Sequence, residues 1–220
     1  YKNTVSDPLA LFEPVALVSD MPTLVVVNSK LPVSNLRELQ AYAKRNPGTI
    51  NFGSSGPGTG QHVSGAVFAE LAGIDIVHVP YKGSAAAALA LLTGEAPLYF
   101  SVMSAVEGNL RSARAKALAV ASPQRLPALP DVPTTAESGF PEFLASTWWG
   151  MAAPKGTDRR IVERLAAEIR TALSDPAVSN RLAALGMAVG GLSPAEFAMK
   201  IQPEAAKLKA TLEKLRIKLE

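Results

Sequence analysis

The chain has 220 residues, of which 48% are hydrophobic and 19% are charged, and its formal net charge is +3. This composition excludes a disordered tail, and the interspersion of 22 Lys and Arg with 19 Asp and Glu argues against a nucleic-acid-binding patch. Because the chain has no cysteine, disulfides, thiolate metal sites and cysteine nucleophiles are excluded as well. No apolar run approaches the roughly 18 residues that span a bilayer, and the first residues show no signal-peptide hydrophobic region. We therefore expect either a chain that is not exported or a processed form.

Short apolar stretches alternate with helical patterns along the first 120 residues. Continuous β-branched runs predict strands buried on both faces, and apolar residues at helical spacing between polar or glycine boundaries predict helices. The predicted strands cover residues 15–18, 23–27, 49–52, 74–79, 97–101 and 117–121. The predicted helices cover residues 34–46, 63–71, 84–92 and 105–112. This alternation is typical of βαβ units and predicts an α/β fold with a parallel or mixed sheet.

The pattern changes after a proline-rich connector at residues 122–141. Residues 146–153 predict one more buried strand, in which Trp148 and Trp149 point to opposite faces. Three capped helices follow, which are expected to begin at Thr157 or Asp158, at Asp175 and at Ser193. The flanks thus hold many helices and few strands, so we expect one incomplete domain.

A loop rich in glycine and hydroxyl residues joins a predicted strand to a predicted helix. It reads Asn51-Phe52-Gly53-Ser54-Ser55-Gly56-Pro57-Gly58-Thr59-Gly60-Gln61-His62. Glycines let backbone N–H groups converge, and the helix start adds unsatisfied donors and a partial positive charge. The loop therefore predicts binding of a carboxylate or phosphate, although an ordinary turn capped by Thr59 also fits. The candidate ligand-binding residues in it are Ser54, Ser55, Gly56, Gly58, Thr59 and His62.

Three better-known motifs do not match this loop. A P-loop requires Lys-Ser/Thr where Thr59-Gly60 stands, and the glycines are spaced by two rather than as in Gly-x-Gly-x-x-Gly. A nucleophile elbow lacks its last glycine, because Pro57 occupies that position. A hydrolase using Ser54 or Ser55 with His62 as base has no orienting carboxylate close by, and we assign no catalytic residue.

A second glycine-containing helix start, Tyr81-Lys82-Gly83-Ser84-Ala85, follows the next predicted strand. Two neighbouring helix N-termini can hold one anion between them. Lys82 either adds a charge or is simply solvated, and Ser84 is expected at least to cap its helix. This segment contributes the candidate ligand-binding residues Lys82, Gly83, Ser84 and Ala85.

The two histidines are not accompanied by a third ligand at metal spacing, so we expect no metal site and no cofactor. His62 is interpreted as lining the site. His78 lies within a predicted strand and is interpreted as structural.

Several segments occur together in one order along the chain. They are Phe12–Val18, the glycine loop through His62, His78–Ser84, Lys116–Val120, Leu129–Thr134 and Trp149-Gly150. This series resembles the solute receptors of tripartite tricarboxylate transporters, the Bug-type extracytoplasmic binding proteins, over essentially all 220 residues. The resemblance implies a type II periplasmic-binding-protein fold of two α/β lobes joined by crossing hinge strands. It also implies a periplasmic location, no enzymatic activity, and a small carboxylate held in the cleft between the lobes.

The resemblance adds one candidate residue and one departure. The segment Ser101-Val102-Met103-Ser104 stands at a strand end where many relatives have an acidic or amide residue, so we expect the specificity to differ here, with Ser101 as the candidate ligand-binding residue. Family members also begin with a strand, a glycine-rich loop and further elements that this chain lacks. We therefore expect an incomplete first lobe from residues 1–28 and 146–220, and a second α/β lobe from residues 29–145.

Two functions are consistent with these patterns. The first is a receptor that captures a dicarboxylate, a tricarboxylate or an acidic amino acid for membrane transporter subunits. The second is a truncated, ligand-free oligomeric interaction protein derived from such a receptor. An open sheet edge in the incomplete lobe predicts pairing with another copy of the chain.

Overall fold

The structure is a computed structural model that describes residues 8–217. After a short 3-10 helix at Pro8–Leu11, the strands are β1 (Phe12–Pro22), β2 (Leu24–Asn28), β3 (Ile50–Ser54), β4 (Ile76–Pro80), β5 (Leu98–Ser101), β6 (Ala115–Val120), β7 (Ser146–Pro154) and β8 (Ala188–Val189). The helices are α1 (Leu36–Arg45), α2 (Gly60–Ala72), α3 (Ser84–Thr93), α4 (Met103–Arg111), α5 (Arg159–Ser174), α6 (Pro176–Ala184) and α7 (Pro194–Lys214). Every predicted strand and helix has a counterpart, which confirms the α/β class.

The described residues divide into two compact units. Residues 22–147 form one unit, and residues 8–21 together with 148–217 form the other. Strand β2, which was predicted to lie in the first lobe, belongs to the unit of residues 22–147, because its neighbours on both sides are strands of that unit.

The unit of residues 22–147 is built on a five-stranded sheet with the order β4-β3-β5-β2-β6. Strands β4, β3 and β5 are parallel, and β2 is antiparallel to both β5 and β6. The sheet is therefore mixed, as predicted. Alternate residues of β2 enter two hydrophobic clusters: Val25 packs with Phe52 and Phe100 in one, and Val26 packs with Leu91 and Tyr99 in the other. Burial on both faces explains the continuous apolar sequence of this strand.

A buried asparagine connects β2 to the end of α3. The Asn28 Nδ2 donates to the carbonyl oxygen of Leu91 at 2.7 Å and to that of Leu92 at 3.2 Å. Asn28 is only 4% exposed. Two of the last carbonyl groups of α3 are thus satisfied inside the protein.

The other unit contains a three-stranded sheet with the order β7-β1-β8 and the helices α5, α6 and α7. Trp148 packs edge-on against Phe197 at a ring distance of 5.2 Å, whereas Trp149 is 60% exposed. The two tryptophans differ as predicted, but the prediction that β7 is buried is wrong, since most of its residues are exposed. Within the described residues β7 is an edge strand, with a neighbour on one side only.

Side-chain caps begin the helices of this unit where the sequence predicts them. Asp158 caps α5, Asp175 caps α6, and Ser193 forms a capping box with Glu196 at α7. In the other unit, α1 is capped by Asn35 and not by the Ser34 that the sequence suggested. No helix within residues 8–217 combines the length and the apolar character needed to cross a bilayer.

Candidate anion-binding site

The candidate residues gather at one edge of the five-stranded sheet. Because β4, β3 and β5 run parallel, their carboxyl ends share this edge, where ligands commonly bind in α/β sheets. Helix α2 follows β3, α3 follows β4 and α4 follows β5, so three helix N-termini lie after these strand ends. Only two of these three helix starts were identified from the sequence as candidate anion sites. The third belongs to α4, which begins at Met103, two residues earlier than expected.

Among the α-helices of residues 8–217, these three differ from the others in that their starts have no side-chain cap. The N-cap residues Thr59, Gly83 and Val102 make no side-chain hydrogen bond to their helices, and none of these helices has an acidic residue in its first turn. Helices α1, α5, α6 and α7 are all capped by an Asn, Asp or Ser side chain. Since a cap satisfies backbone donors and reduces the partial positive charge, the three uncapped starts retain both for an external acceptor.

The predicted capping roles of Thr59 and Ser84 are therefore wrong. Thr59 occupies the N-cap position, but its hydroxyl donates to the carbonyl of Gly56 at 2.8 Å and braces the loop instead. Ser84 is the first helical residue of α3, and the N-cap is Gly83. The φ of Gly83 is +98°, which disfavours any residue with a Cβ and so explains glycine here.

The glycine loop is shorter than its sequence suggested, because Gly53 and Ser54 belong to β3. Gly56 and Gly58 adopt φ values of +137° and +74°. A Cβ added at Gly56 would meet no atom within 4 Å. The conformation of Gly56 thus requires glycine for its backbone, and the space beside it remains open.

Ser54 lies beneath this loop and is completely buried. Its Oγ accepts from the Gly56 N–H at 3.1 Å and lies 2.6 Å from His78 Nε2. A hydrolase using Ser54 and His62 has no support from this geometry, because the histidine beside Ser54 is His78 and the Ser54 hydroxyl is already hydrogen-bonded to the backbone of Gly56.

His62 and His78 form a stacked pair below the loop. Their ring centroids are 3.6 Å apart and the rings are nearly parallel. His62 Nδ1 accepts from the Gly58 N–H at 3.1 Å, so this nitrogen carries no proton. Burial lowers the pKa of His62, and burial together with repulsion from a charged His62 lowers the pKa of His78 to about 4. Both rings are thus neutral near pH 7, and the pair supports the loop from within the unit.

Two further polar residues of this edge were not among the candidates predicted from the sequence. Gln61 Oε1 accepts from the Ser55 N–H at 2.6 Å, and Gln61 Nε2 donates to the Tyr99 hydroxyl at 2.8 Å and to Ser84 Oγ at 3.4 Å. Gln61 could have been predicted as a site residue, because it is a polar residue in the first helical turn after the glycine loop. No local pattern distinguishes Tyr99, because it alternates within an ordinary apolar strand.

The remaining candidates occupy the edge itself. Ser101 ends β5 and is 2% exposed, and its Oγ neighbours the Tyr99 hydroxyl but makes no hydrogen bond of standard geometry within the described residues. Ser55 is partly buried, whereas Lys82, Ser84 and Ala85 are exposed. Within residues 8–217 there is no cluster of three metal-ligating side chains.

The chain is similar to known transport receptors. Residues 1–217 match the family described as "Tripartite tricarboxylate transporter family receptor", TctC. A Pseudomonas sp. protein, "UPF0065 protein in tcbD-tcbE intergenic region", is 36% identical over 207 residues, covering 94% of this chain and 62% of that protein.

Two solved structures give the same relationship in three dimensions. "R. palustris Rpa4515 with adipate" has a TM-score of 0.93 and 30% identity, covering 99% of this chain and 73% of that one. "MatC (Rpa3494) from Rhodopseudomonas palustris with bound malate" has a TM-score of 0.84 and 31% identity, covering 91% of this chain and 69% of that one. These matches confirm the predicted periplasmic-binding-protein fold. The chain spans 62% of the curated relative's length. The chain therefore belongs to the TctC family of tripartite tricarboxylate transporter receptors.

Proposed function

We propose that this chain binds a small carboxylate at the sheet edge where α2, α3 and α4 begin. The observation that carries this proposal is that these three helix starts are uncapped, beside the buried Ser101 hydroxyl, for which residues 8–217 provide no hydrogen-bond partner of standard geometry. Two of the related structures are described with adipate and with malate, and both molecules are dicarboxylates. As a receptor, the protein acts in the periplasm and passes its ligand to membrane transporter subunits.

The donors at this edge suit an ionised carboxylate. They are backbone N–H groups of the helix starts together with the hydroxyls of Ser55, Ser84 and Ser101. Helix N-termini attract anions without any charged side chain, and hydrogen bonds to a charged acceptor are stronger than neutral ones. Lys82 is exposed and adds at most a long-range attraction. Carboxylate capture here thus depends on fixed dipoles more than on ion pairing.

We further infer that the chain is a receptor and not an enzyme. The Ser54 hydroxyl is buried, and the His78 ring beside it is part of the stacked pair. The neutral donors account for binding without a cofactor or a metal.

Thermal unfolding with adipate and malate tests this proposal. A ligand at about ten times its dissociation constant should raise the free energy of unfolding by about 1.4 kcal/mol, if it binds only the folded state. Absence of any shift with both ligands, in a chain that unfolds cooperatively, would contradict carboxylate binding.

The variant Ser101→Ala separates binding from stability. Removing a buried hydroxyl that lacks a partner should leave the unliganded protein equally or slightly more stable, yet it should reduce the ligand-induced shift. Ser112→Ala is the matched control, because Ser112 follows the opposite end of α4 and donates to the carbonyl of Asn109. We expect this control to keep the full ligand shift.

A further inference from the structure

We propose that Gln61 is a specificity-determining positioning residue, which makes this site select an ionised carboxylate over the corresponding amide. The inference rests on the proposed carboxylate function and adds a residue that controls it. Gln61 connects three parts of the sheet edge: the loop at Ser55, the start of α3 at Ser84, and β5 at Tyr99.

The orientation of the Gln61 amide follows from its partners. The Ser55 N–H can only donate, so the Gln61 atom that lies 2.6 Å from it must be the oxygen. The Gln61 nitrogen then faces Tyr99 and Ser84, where it can only donate. Both hydroxyl oxygens therefore act as acceptors toward Gln61.

The proton of Tyr99 is retained and turned away from Gln61. Burial raises the pKa of the Tyr99 hydroxyl, so this group stays protonated at neutral pH. Because its oxygen accepts from Gln61, its proton points elsewhere, toward the carbonyl oxygen of Ser84 at a long distance of 3.5 Å. Tyr99 is completely buried and holds Gln61 against β5.

The same logic makes the Ser84 hydroxyl a donor toward the exterior. Its oxygen faces the Gln61 nitrogen at 3.4 Å, so its proton points away from Gln61, and Ser84 is exposed. The ligand then meets a row of donors: this hydroxyl and the N–H groups of the helix starts. An ionised carboxylate presents only acceptors to such a row, whereas an amide presents N–H donors that cannot be satisfied there. Unpaired polar groups of this kind cause strong rejection of the wrong ligand.

Gln61→Glu reverses the direction of these hydrogen bonds. The new carboxylate can still accept from the Ser55 N–H, but it would also accept from the hydroxyls of Ser84 and Tyr99 and draw their protons inward. We expect the affinity for adipate to fall about 10- to 100-fold at pH 7.5, since hydrogen bonds to a charged ligand are lost and a like charge is added. The affinity for adipamide, the diamide of the same length, should fall much less. Calorimetric titration of both probes should therefore show that the ratio of adipate affinity to adipamide affinity is lower in the variant than in the unaltered chain.

The uncharged variant Gln61→Met separates the hydrogen-bond effect from the added charge, and its adipate-to-adipamide affinity ratio should also fall. A purely structural role for Gln61 would leave the ratio in Gln61→Met unchanged, because a distorted site would lose both ligands equally. Gln40→Glu is the matched control. Gln40 lies on α1 and donates to the carbonyl of Ala72 at 2.7 Å, at the far end of α2, so its replacement should leave the ratio unchanged. Equal losses of adipate and adipamide in Gln61→Met would overturn the inference while leaving the proposed function intact.

A ligand-free measurement tests the network even if neither probe binds. In Gln61→Met the Ser55 N–H loses its acceptor, so its hydrogen exchange should become about tenfold faster than in Gln40→Met. Unchanged exchange at Ser55 would overturn the positioning role. Failure of the unaltered chain to bind adipate or malate, with fast Ser55 exchange in Gln61→Met, would instead contradict the proposed function and the specificity derived from it.

Discussion

Replacing Gly65 with alanine is expected to destabilise the protein by about 2–3 kcal/mol, because it overpacks a closed core. Gly65 lies in the middle of α2, where alanine would ordinarily stabilise a helix by about 1 kcal/mol. A Cβ at this position would lie only 2.2 Å from Cε2 of Phe52. The Phe52 ring is 2% exposed and is held edge-on against Phe100 at 5.9 Å and near His78 at 5.1 Å. Because the ring is buried between these neighbours, we expect steric overlap to outweigh the gain in helix propensity.

Gly108→Ala is the control for this prediction. Gly108 also lies inside a helix, α4, but a Cβ there would meet no atom within 4 Å. We expect this variant to be about 0.5–1 kcal/mol more stable than the unaltered chain. Denaturant unfolding of both variants tests whether the free energy of unfolding falls in Gly65→Ala and rises in Gly108→Ala. If Gly65→Ala were as stable as Gly108→Ala, the conclusion that α2 packs closely on the Phe52 ring would be contradicted.

Acidification from pH 7 to pH 4 is expected to lower the free energy of unfolding by about 2 kcal/mol through His78 alone. The pKa of His78 is lowered from 6.5 to about 4 in the folded protein. The unfolded chain therefore takes up a proton in this window more readily than the folded chain does, so stability falls as the pH falls from about 6.5 to about 4. For a fully buried group, lowering the pKa from 6.5 to about 4 would correspond to about 3.4 kcal/mol of unfolding free energy. His78 is partly exposed, so we expect the smaller value of about 2 kcal/mol. The lowered pKa of His62 acts in the same direction.

His78→Gln tests the assignment of this acid sensitivity. The glutamine amide can take the place of the His78 Nε2 atom beside Ser54 but cannot titrate, so the loss of stability between pH 6.5 and pH 4 should shrink by more than half. Carboxyl groups whose pKa is lowered, such as Glu13 and Glu137, contribute mainly below about pH 4.5. A variant with the same pH dependence as the unaltered chain over the whole window would show that other groups cause it.

The secondary structure was predictable from the sequence where local signals are strong. Asp158, Asp175 and Ser193 begin helices because their side chains bond to backbone N–H groups only a few residues away. The two residues of β8 have no such signal, since they form a strand only by pairing with Ser19 and Asp20, which lie far earlier in the chain. The exposure of β7 was missed because an apolar run does not show whether a strand has one neighbour or two.

The candidate site was predictable only in part. The glycine loop and the start of α3 show their backbone chemistry in their composition. The network around Gln61 depends on partners up to 38 positions apart, which come together only when β5 lies beside β3. The inward position of Ser54 was also missed, because β3 extends two residues beyond its predicted end at residue 52 and so places this hydroxyl in the strand and not in the loop.

Because of the buried Asn28, the partial charges at the two ends of α3 are not equally available to a ligand. The Asn28 amide donates to two carbonyl groups at the end of the helix and partly offsets their negative charge inside the protein, while the opposite end, after Gly83, keeps its partial positive charge. The partial positive charge at the start of α3 comes from peptide dipoles, and no titratable group contributes to it. The attraction of this helix for an anion would therefore remain constant over the pH range in which a lysine or histidine site loses its charge.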